Sequence, residues 1–315
     1  MELGRVLIWN RSNQVLQWFI YWVACSSELR CLALPAFHDC LNSLTMLLLI
    51  SPAKTLDYES PLPNSLKDLA LQAPVFPDQT ATLIKQLKKL SVTDLSELMS
   101  VSQNLAELNS KRFKDWSALN TDQNSRPSLF AFNGDVYDGL AAKSLKKPEL
   151  TWLESHLVIL SGLYGVLKPL DALQPYRLEM GTALKVAKSK NLYEFWGTQI
   201  AHYLNTRLNS ESSRVVINLA SQEYFKSVDR KTLDAQVIEC VFEDEKNGQY
   251  KVISFFAKKA RGLMVRFAAT KRVKTPEALK DFDLEGYAFE PKASTQLRYV
   301  FKRSEQSLKS ASPSV

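Results

Sequence analysis

Three runs in this chain are apolar almost without interruption: Leu47 to Ile50 (LLLI), His156 to Gly162 (HLVILSG) and Arg214 to Ser221 (RVVINLAS). A strand that alternates apolar and polar residues can leave one face in water. A strand without that alternation has to be covered on both faces, which is the situation of strands inside an α/β sheet. Helix-patterned stretches separate these runs, as a layered α/β architecture requires. The segment QVIECVFEDEKNGQYKVISFFAKKARG, residues 236–262, adds a hairpin: two strand-like runs flank Lys246, Asn247 and Gly248, and Asn-Gly is a strong turn signal. A hairpin excludes a purely parallel sheet. The expected fold is therefore α/β with a central mixed sheet flanked by helices, and 315 residues leave room for one large domain or two ordinary ones.

The remaining segments fit around that sheet. Pro61, Pro63, Pro74 and Pro77 mark the stretch after the first strand as a surface loop. From Gln79, the residues Leu83, Ile84, Leu87 and Leu90 share one helical face. Ser91 and Asp94 read as a cap before Leu95, Leu98 and Met99, and a third helix begins near Ser102 and carries Leu105, Leu108 and Phe113. PSLFAF, residues 127–132, reads as a strand, and a single helix is expected over 191–208. GYAF and LRYVFKR are short strand candidates near the end, and the serine-rich residues 304–315 read as a disordered tail.

Charge is distributed unevenly. In residues 1–45, Arg5, Arg11 and Arg30 offset Glu2, Glu28 and Asp39, so the net charge of +7 belongs to residues 46–315. A basic balance points to an acidic partner such as nucleic acid or phosphate. Cys25, Cys31 and Cys40 lie in the first 45 residues and Cys240 alone lies beyond them, so there is no disulfide framework. One cysteine in the main body suits a reducing cytosol, and a cytoplasmic protein is expected. Val15 to Ala24 is apolar but shorter than the roughly 20 residues of a membrane span. Residues 1–45 read as a translated leader or a mis-assigned start ahead of Met46, with a signal peptide as the alternative.

Several expected strands end in small and polar residues: Ser51-Pro52-Ala53-Lys54, Asn133 to Tyr137, Ser161 to Gly165, Asn218 to Ser221 and Ala257 to Arg261. In open α/β sheets, ligands gather at the carboxyl ends of strands. Lys54 either holds an anion there or is a solvated loop lysine. Asp135, Tyr137, Glu223 and Tyr224 stand beside lysines and offer acid–base groups. Glu223 and Asp135 could equally pair with Lys226 or Arg177 for structural reasons. Under this reading the protein is an enzyme acting on a nucleotide or other phosphorylated small molecule, with Lys54 and Lys258 on the anion and Asp135 or Tyr224 moving protons.

LMSVSQNLAELN, Leu98 to Asn109, has the spacing of a helix-hairpin-helix, with Ser100 and Ser102 where glycine is usual. In such a hairpin the amides at the start of the second helix face a DNA phosphate, and Lys111, Arg112 and Lys114 would reach neighbouring phosphates. The plainer reading is an ordinary helical hairpin capped by Ser102. Walker, G-x-G-x-x-G, G-x-S-x-G and zinc-ligand spacings are absent, so no cofactor or metal is expected. His156 and His202 read as structural or exposed. Tyr193, Phe195, Trp196 and Tyr203 read as helix core, with a base-stacking platform as the alternative.

Six stretches together carry a resemblance: LLLISPAKTLDYE, LMSVSQNLAELN, AFNGDVYDGL, LSGLYGVLKPLDALQPYRLEMGT, INLASQEYFKSV and FFAKKARGLMVRF. They occur in order from Met46 to about Arg303 and resemble the YaaA family of bacterial peroxide-stress resistance proteins. The family's chains begin at the residue matching Met46. The resemblance implies one compact α/β domain outside the common superfolds over 46–303, in a cytosolic protein. It implies binding of double-stranded DNA without strong sequence preference, through a positively charged cleft and a helix-hairpin-helix whose hairpin falls on Ser100, Val101 and Ser102. It also implies a role in oxidative stress, where the family limits free intracellular iron and so limits iron-catalysed damage to DNA. On motif and charge, the cleft cations are Lys54, Lys168, Arg177, Lys226, Lys258, Lys259 and Arg261.

Overall fold

The computed structural model describes residues 46–66, 69–208 and 214–311. The expectations for residues 1–45 and for the last four residues fall outside that range. In chain order the strands are Met46–Ile50 (β1), Thr55–Leu56 (β2), Arg126–Pro127 (β3), Phe132–Asn133 (β4), Leu157–Ser161 (β5), Gly165–Leu167 (β6), Ala172–Leu173 (β7), Val215–Asn218 (β8), Gln236–Lys246 (β9), Gln249–Lys251 (β10), Ala288–Phe289 (β11) and Arg298–Arg303 (β12). The helices are Pro77–Leu87 (α1), Val92–Met99 (α2), Gln103–Asp115 (α3), Ser128–Ala131 (α4), Asp135–Leu140 (α5), Lys147–His156 (α6), Leu192–Trp196 (α7), Gln199–Arg207 (α8), Gln222–Phe225 (α9), Ser254–Lys271 (α10) and Glu305–Ala311 (α11).

The main sheet has the order β11-β12-β9-β8-β1-β5-β6, with β10 on β9. The strands β12, β9, β8, β1 and β5 run parallel, and β6, β10 and β11 are antiparallel to their neighbours. The sheet is thus mixed and flanked by helices, as the apolar runs and the hairpin predict. β1 and β5 are buried at every position. Leu48 pairs with both Leu157 and Ile217, which brings the carboxyl ends of β8, β1 and β5 to one edge. Each buried leucine or isoleucine here contributes roughly 1.5–3 kcal/mol of apolar transfer, so this three-strand core is a main source of stability.

Two glycines set the helix layer against that core. A Cβ on Gly262 of α10 would lie 1.8 Å from the Val136 carbonyl oxygen, and one on Gly139 of α5 would lie 2.1 Å from that of Lys259. The two backbones therefore touch. Their contact aligns Lys258 with Asp135 at the start of α5, Nζ to Oδ2 4.0 Å. Further along the sheet, the buried Arg303 donates from Nε to Asp244 Oδ1 at 2.7 Å, and Tyr287 donates to Asp244 Oδ2 at 2.9 Å. That charge pair joins β12 to β9 inside the core, where losing either partner would strand the other charge.

Several local expectations are corrected. PSLFAF is not one strand: a buried helical turn, α4, separates the short β3 and β4. A short apolar run is equally compatible with a buried helix, and periodicity alone does not separate the two. The helix over 191–208 is two helices, because Gly197 at φ 48, ψ −120 ends α7. The second strand of the hairpin stops at Lys251, and Ser254 to Arg261 belong to α10, so Ala257–Arg261 is a helical segment, not a strand end. The expected tail is helical over Glu305–Ala311, anchored where Glu305 Oε1 accepts the Asn247 amide at 2.8 Å.

Gly262→Ala is expected to lose about 3 kcal/mol or more in urea unfolding, because the new methyl meets backbone atoms that cannot move aside. A loss below about 1 kcal/mol would contradict the backbone contact between α5 and α10.

Candidate functional site

Where β8, β1 and β5 end, the chain leaves the sheet through small polar residues that bond to one another. Ser51, after β1, accepts the Ser221 amide on Oγ at 2.9 Å, and Ser221 in turn caps α9. Ser161, the last residue of β5, is 2.6 Å from the phenol oxygen of Tyr176. Tyr137 of α5 donates to the Ser51 carbonyl at 3.2 Å. The segment Tyr176–Met180 passes across this edge, with Tyr176, Leu178 and Met180 buried and Arg177 and Glu179 partly exposed. Gly162 permits that passage, since a Cβ there would sit 2.3 Å from the Leu178 carbonyl oxygen. Gly181 donates its amide to Glu223 Oε1 at 2.9 Å. Four of the five expected strand-end segments therefore do border true strands, and three of them, at β1, β5 and β8, share this edge.

The cations are not free. Glu179 lies between Lys54 and Arg177, with N to O distances of 3.0 Å to each. Lys258 faces Asp135, and Lys259 pairs with Glu285 at 2.6 Å. Lys226 stacks over the Tyr193 ring at 4.9 Å. Glu223 and Asp135 thus have partners other than the Lys226 and Arg177 that sequence proximity suggested. Lys168 stands apart from this edge. Lys168 follows β6, which runs antiparallel to β5, and so lies toward the opposite end of that strand. There it meets Glu154 at 3.0 Å, Asp171 at 3.7 Å and the side-chain oxygen of Gln72. Arg261 is half-buried beside Glu239 and Cys240, and burial lowers its pKa.

The phenols of Tyr137, Tyr176 and Tyr224 gather beneath these charges. Burial pushes all three well above the ordinary tyrosine range, Tyr176 raises both Tyr137 and Tyr224 further, and Tyr224 also raises Tyr137. Tyr224 also feels Glu223 and Glu179. A phenol raised in this way keeps its proton at neutral pH. It can donate a hydrogen bond there. A cavity of about 360 Å³ adjoins the cluster through Tyr137, with Asn133, Asp138, Asp57 and Lys143 also on its wall. Tyr176 and Glu179 were not singled out from sequence. The signal lay in the alternation Tyr176-Arg177-Leu178-Glu179, which puts the two charges on one side of an extended segment.

The α2–α3 hairpin is a second polar surface. Ser91 and Asp94 form a capping box at α2. The turn runs through Ser100 in the left-handed region, φ 50, and Ser96 Oγ ties it by donating to the Val101 carbonyl at 2.7 Å. A non-glycine residue tolerates this conformation at a cost of about 1 kcal/mol. Ser102 occupies the N-cap of α3, but its side chain makes no capping bond. Residues 102–105 are exposed, Ala106 is fully buried against α2, and Phe113 is buried while Leu105 and Leu108 face out. Lys111 and Lys114 are exposed, with Lys111 paired to Asp115 one turn on. Arg112 is half-buried near Tyr58 and donates to Asn109.

The other candidates are structural. Trp196 is fully buried with Nε1 on the Gly162 carbonyl at 3.0 Å, and Phe195, Tyr193 and Tyr203 pack around the core. His156 stacks on Trp152. Burial raises the Cys240 thiol to about 12, which leaves it unreactive. Among the described residues, no group of three or more His, Cys, Asp and Glu side chains could hold a metal ion, and no helix is long and apolar enough to cross a membrane.

Comparison with known proteins gives a match over residues 46–293 to the family described as peroxide stress protein YaaA. A UPF0246 protein of Bordetella petrii is 56% identical over 258 residues, covering 82% of this chain and 99% of the relative. UPF0246 proteins of Paracidovorax citrulli and Delftia acidovorans are each 56% identical over 260 residues, covering 82% of this chain and 99% and 98% of their own lengths.

Burial raises Asp171, beside Lys168, from 3.8 to about 7. The folded state therefore holds this proton longer than the unfolded chain does. The associated stability is complete below about 4 and is lost as pH rises through about 7. Asp171→Asn should gain on the wild type across that window by on the order of a few kcal/mol in urea unfolding. Parallel pH profiles for the two proteins would contradict the buried carboxyl.

Proposed function

The chain belongs to the peroxide stress protein YaaA family, and from that premise we propose that it acts by binding double-stranded DNA through the α2–α3 hairpin, without strong sequence preference. The observation that carries this reading is the start of α3. Its first amides have no intrahelical acceptor, and the first helical bond is Ala106 to the Ser102 carbonyl at 3.0 Å. Ser91, Asn191 and Ser221 each satisfy such an amide at their own helices with a side-chain oxygen, and Ser102 does not. An exposed N-terminus of this kind suits a phosphate by its free donors and by the helix dipole.

Lys111 and Lys114 extend the contact along the same helix. The exposed Lys111–Asp115 pair is worth only about 0.3–0.5 kcal/mol, so a DNA phosphate can replace the carboxylate at little cost. Arg112, half-buried near Tyr58, donates within α3 to Asn109 and stands behind the two lysines. Binding of this type rests on phosphates and not on base edges, which gives a strong salt dependence and weak sequence preference. In this reading the protein protects against peroxide by helping to limit iron-dependent oxidative damage to DNA. The protein works as a binding protein, with no cofactor, in the cytoplasm.

The test is the affinity for a short labelled duplex across a salt series. A Lys111→Gln, Lys114→Gln double variant is expected to bind several-fold more weakly, with a log–log salt slope shallower by about 0.9 for each lost contact. An unchanged slope with unchanged affinity would remove the hairpin from the DNA site.

A further inference from the structure

The edge formed by β8, β1 and β5 has a composition that duplex binding at the hairpin does not use. Lys54 and Arg177 converge on one carboxylate, Glu179, which leaves a local excess of one positive charge. Arg177 engages Glu179 through Nη2, while its Nε is buried with no hydrogen-bond partner. A guanidinium is a planar fork of donors, and here part of the fork is unused. Lys54 is 63% exposed, so water screens its pair with Glu179 and the pair exchanges readily. Tyr224 lies beside Glu179 and Glu223, and it is a permanent O–H donor at neutral pH for the reason given above.

A duplex backbone fits this edge poorly. Glu179 holds Lys54 and Arg177, Glu223 accepts the Gly181 amide and Asp135 faces Lys258, so a polyanion laid along the edge would meet a carboxylate at each of its contacts. A rigid duplex also cannot lower a phosphodiester onto buried phenols. A terminal phosphate can. A phosphate monoester carries close to two charges near neutral pH and three acceptor oxygens. Those match two cations, the unused donors of Arg177 and a neutral phenol.

We propose that this edge binds the phosphate of a small phosphate monoester, which takes the place of the Glu179 carboxylate on Lys54 and Arg177 and accepts a hydrogen bond from Tyr224. Glu179 acts as an internal competitor that occupies the cations until the ligand arrives. The site is independent of the hairpin and stands whether or not the hairpin binds DNA.

The experiment is thermal unfolding of the full chain titrated with inorganic phosphate or adenosine 5′-monophosphate, with sodium chloride adjusted to hold ionic strength constant. Ligand binding to the folded state raises the midpoint in a saturable way that yields Kd. The wild type is expected to show such a rise with both probes. Lys54→Ala, a change at an exposed side chain, should weaken binding by about tenfold or more, the loss of one charged hydrogen bond. Glu179→Gln should tighten it several-fold, because the competing charge is gone while the shape is kept. Lys111→Gln should leave Kd unchanged. A wild type with no saturable rise, a Lys54→Ala variant with the wild-type Kd, or weaker binding in Glu179→Gln would each overturn the proposal.

Discussion

The register of β8, β1 and β5 is the constraint on which the other features of this molecule rest. Three adjacent parallel strands, two of them buried at every position, bring their carboxyl ends to one edge of the sheet. At that level the chain has to turn back over its own core, and its backbone groups lose their ladder partners. Ser51, Ser161 and Ser221 meet that need locally, by bonding to one another's neighbourhood and to the phenol of Tyr176. Polar chemistry at this edge is thus a consequence of the sheet before it is a property of any ligand.

The same register determines which cations can act together. Lys54 leaves β1 at the edge and meets Arg177 across Glu179, whereas Lys168 leaves β6 in the opposite sense and is absorbed by Glu154 and Asp171. The close backbone approach of α5 and α10, which Gly139 and Gly262 permit, then brings Lys258 to Asp135. At this edge, cations and carboxylates therefore stand as pairs. The hairpin differs because its donors are backbone amides and its lysines are exposed on a separate helix.

Much of the fold was legible in the sequence because its signals are local. The unbroken apolar runs of β1, β5 and β8, the Asn247-Gly248 turn and the Ser91–Asp94 cap each depend on a few neighbouring residues. PSLFAF misled for the converse reason: an apolar run that short has no period to read. The break at Gly197 and the start of α10 at Ser254 were lost to apolar patterns that continue across both boundaries. In the candidate site, the lysines, the arginines and two carboxylates, Asp135 and Glu223, could be read from sequence, but Glu179 and the pairings could not. Glu179 neutralises Lys54 from a remote part of the chain, and only the fold brings them together. Burial made the difference for Tyr224 as well, since a tyrosine in sequence does not declare whether it can give up its proton.

The central claim is that two separate polar surfaces serve two kinds of phosphate, the hairpin for a duplex and the strand edge for a small monoester. Amide hydrogen exchange of the full chain with and without a short DNA duplex tests that separation most directly. The account predicts added protection at the turn and first residues of α3, Ser100 to Ala106, with Ser51–Lys54, Arg177–Gly181 and Ala220–Lys226 unchanged. Protection that appears at the strand-edge segments instead, or equally at both, would contradict it.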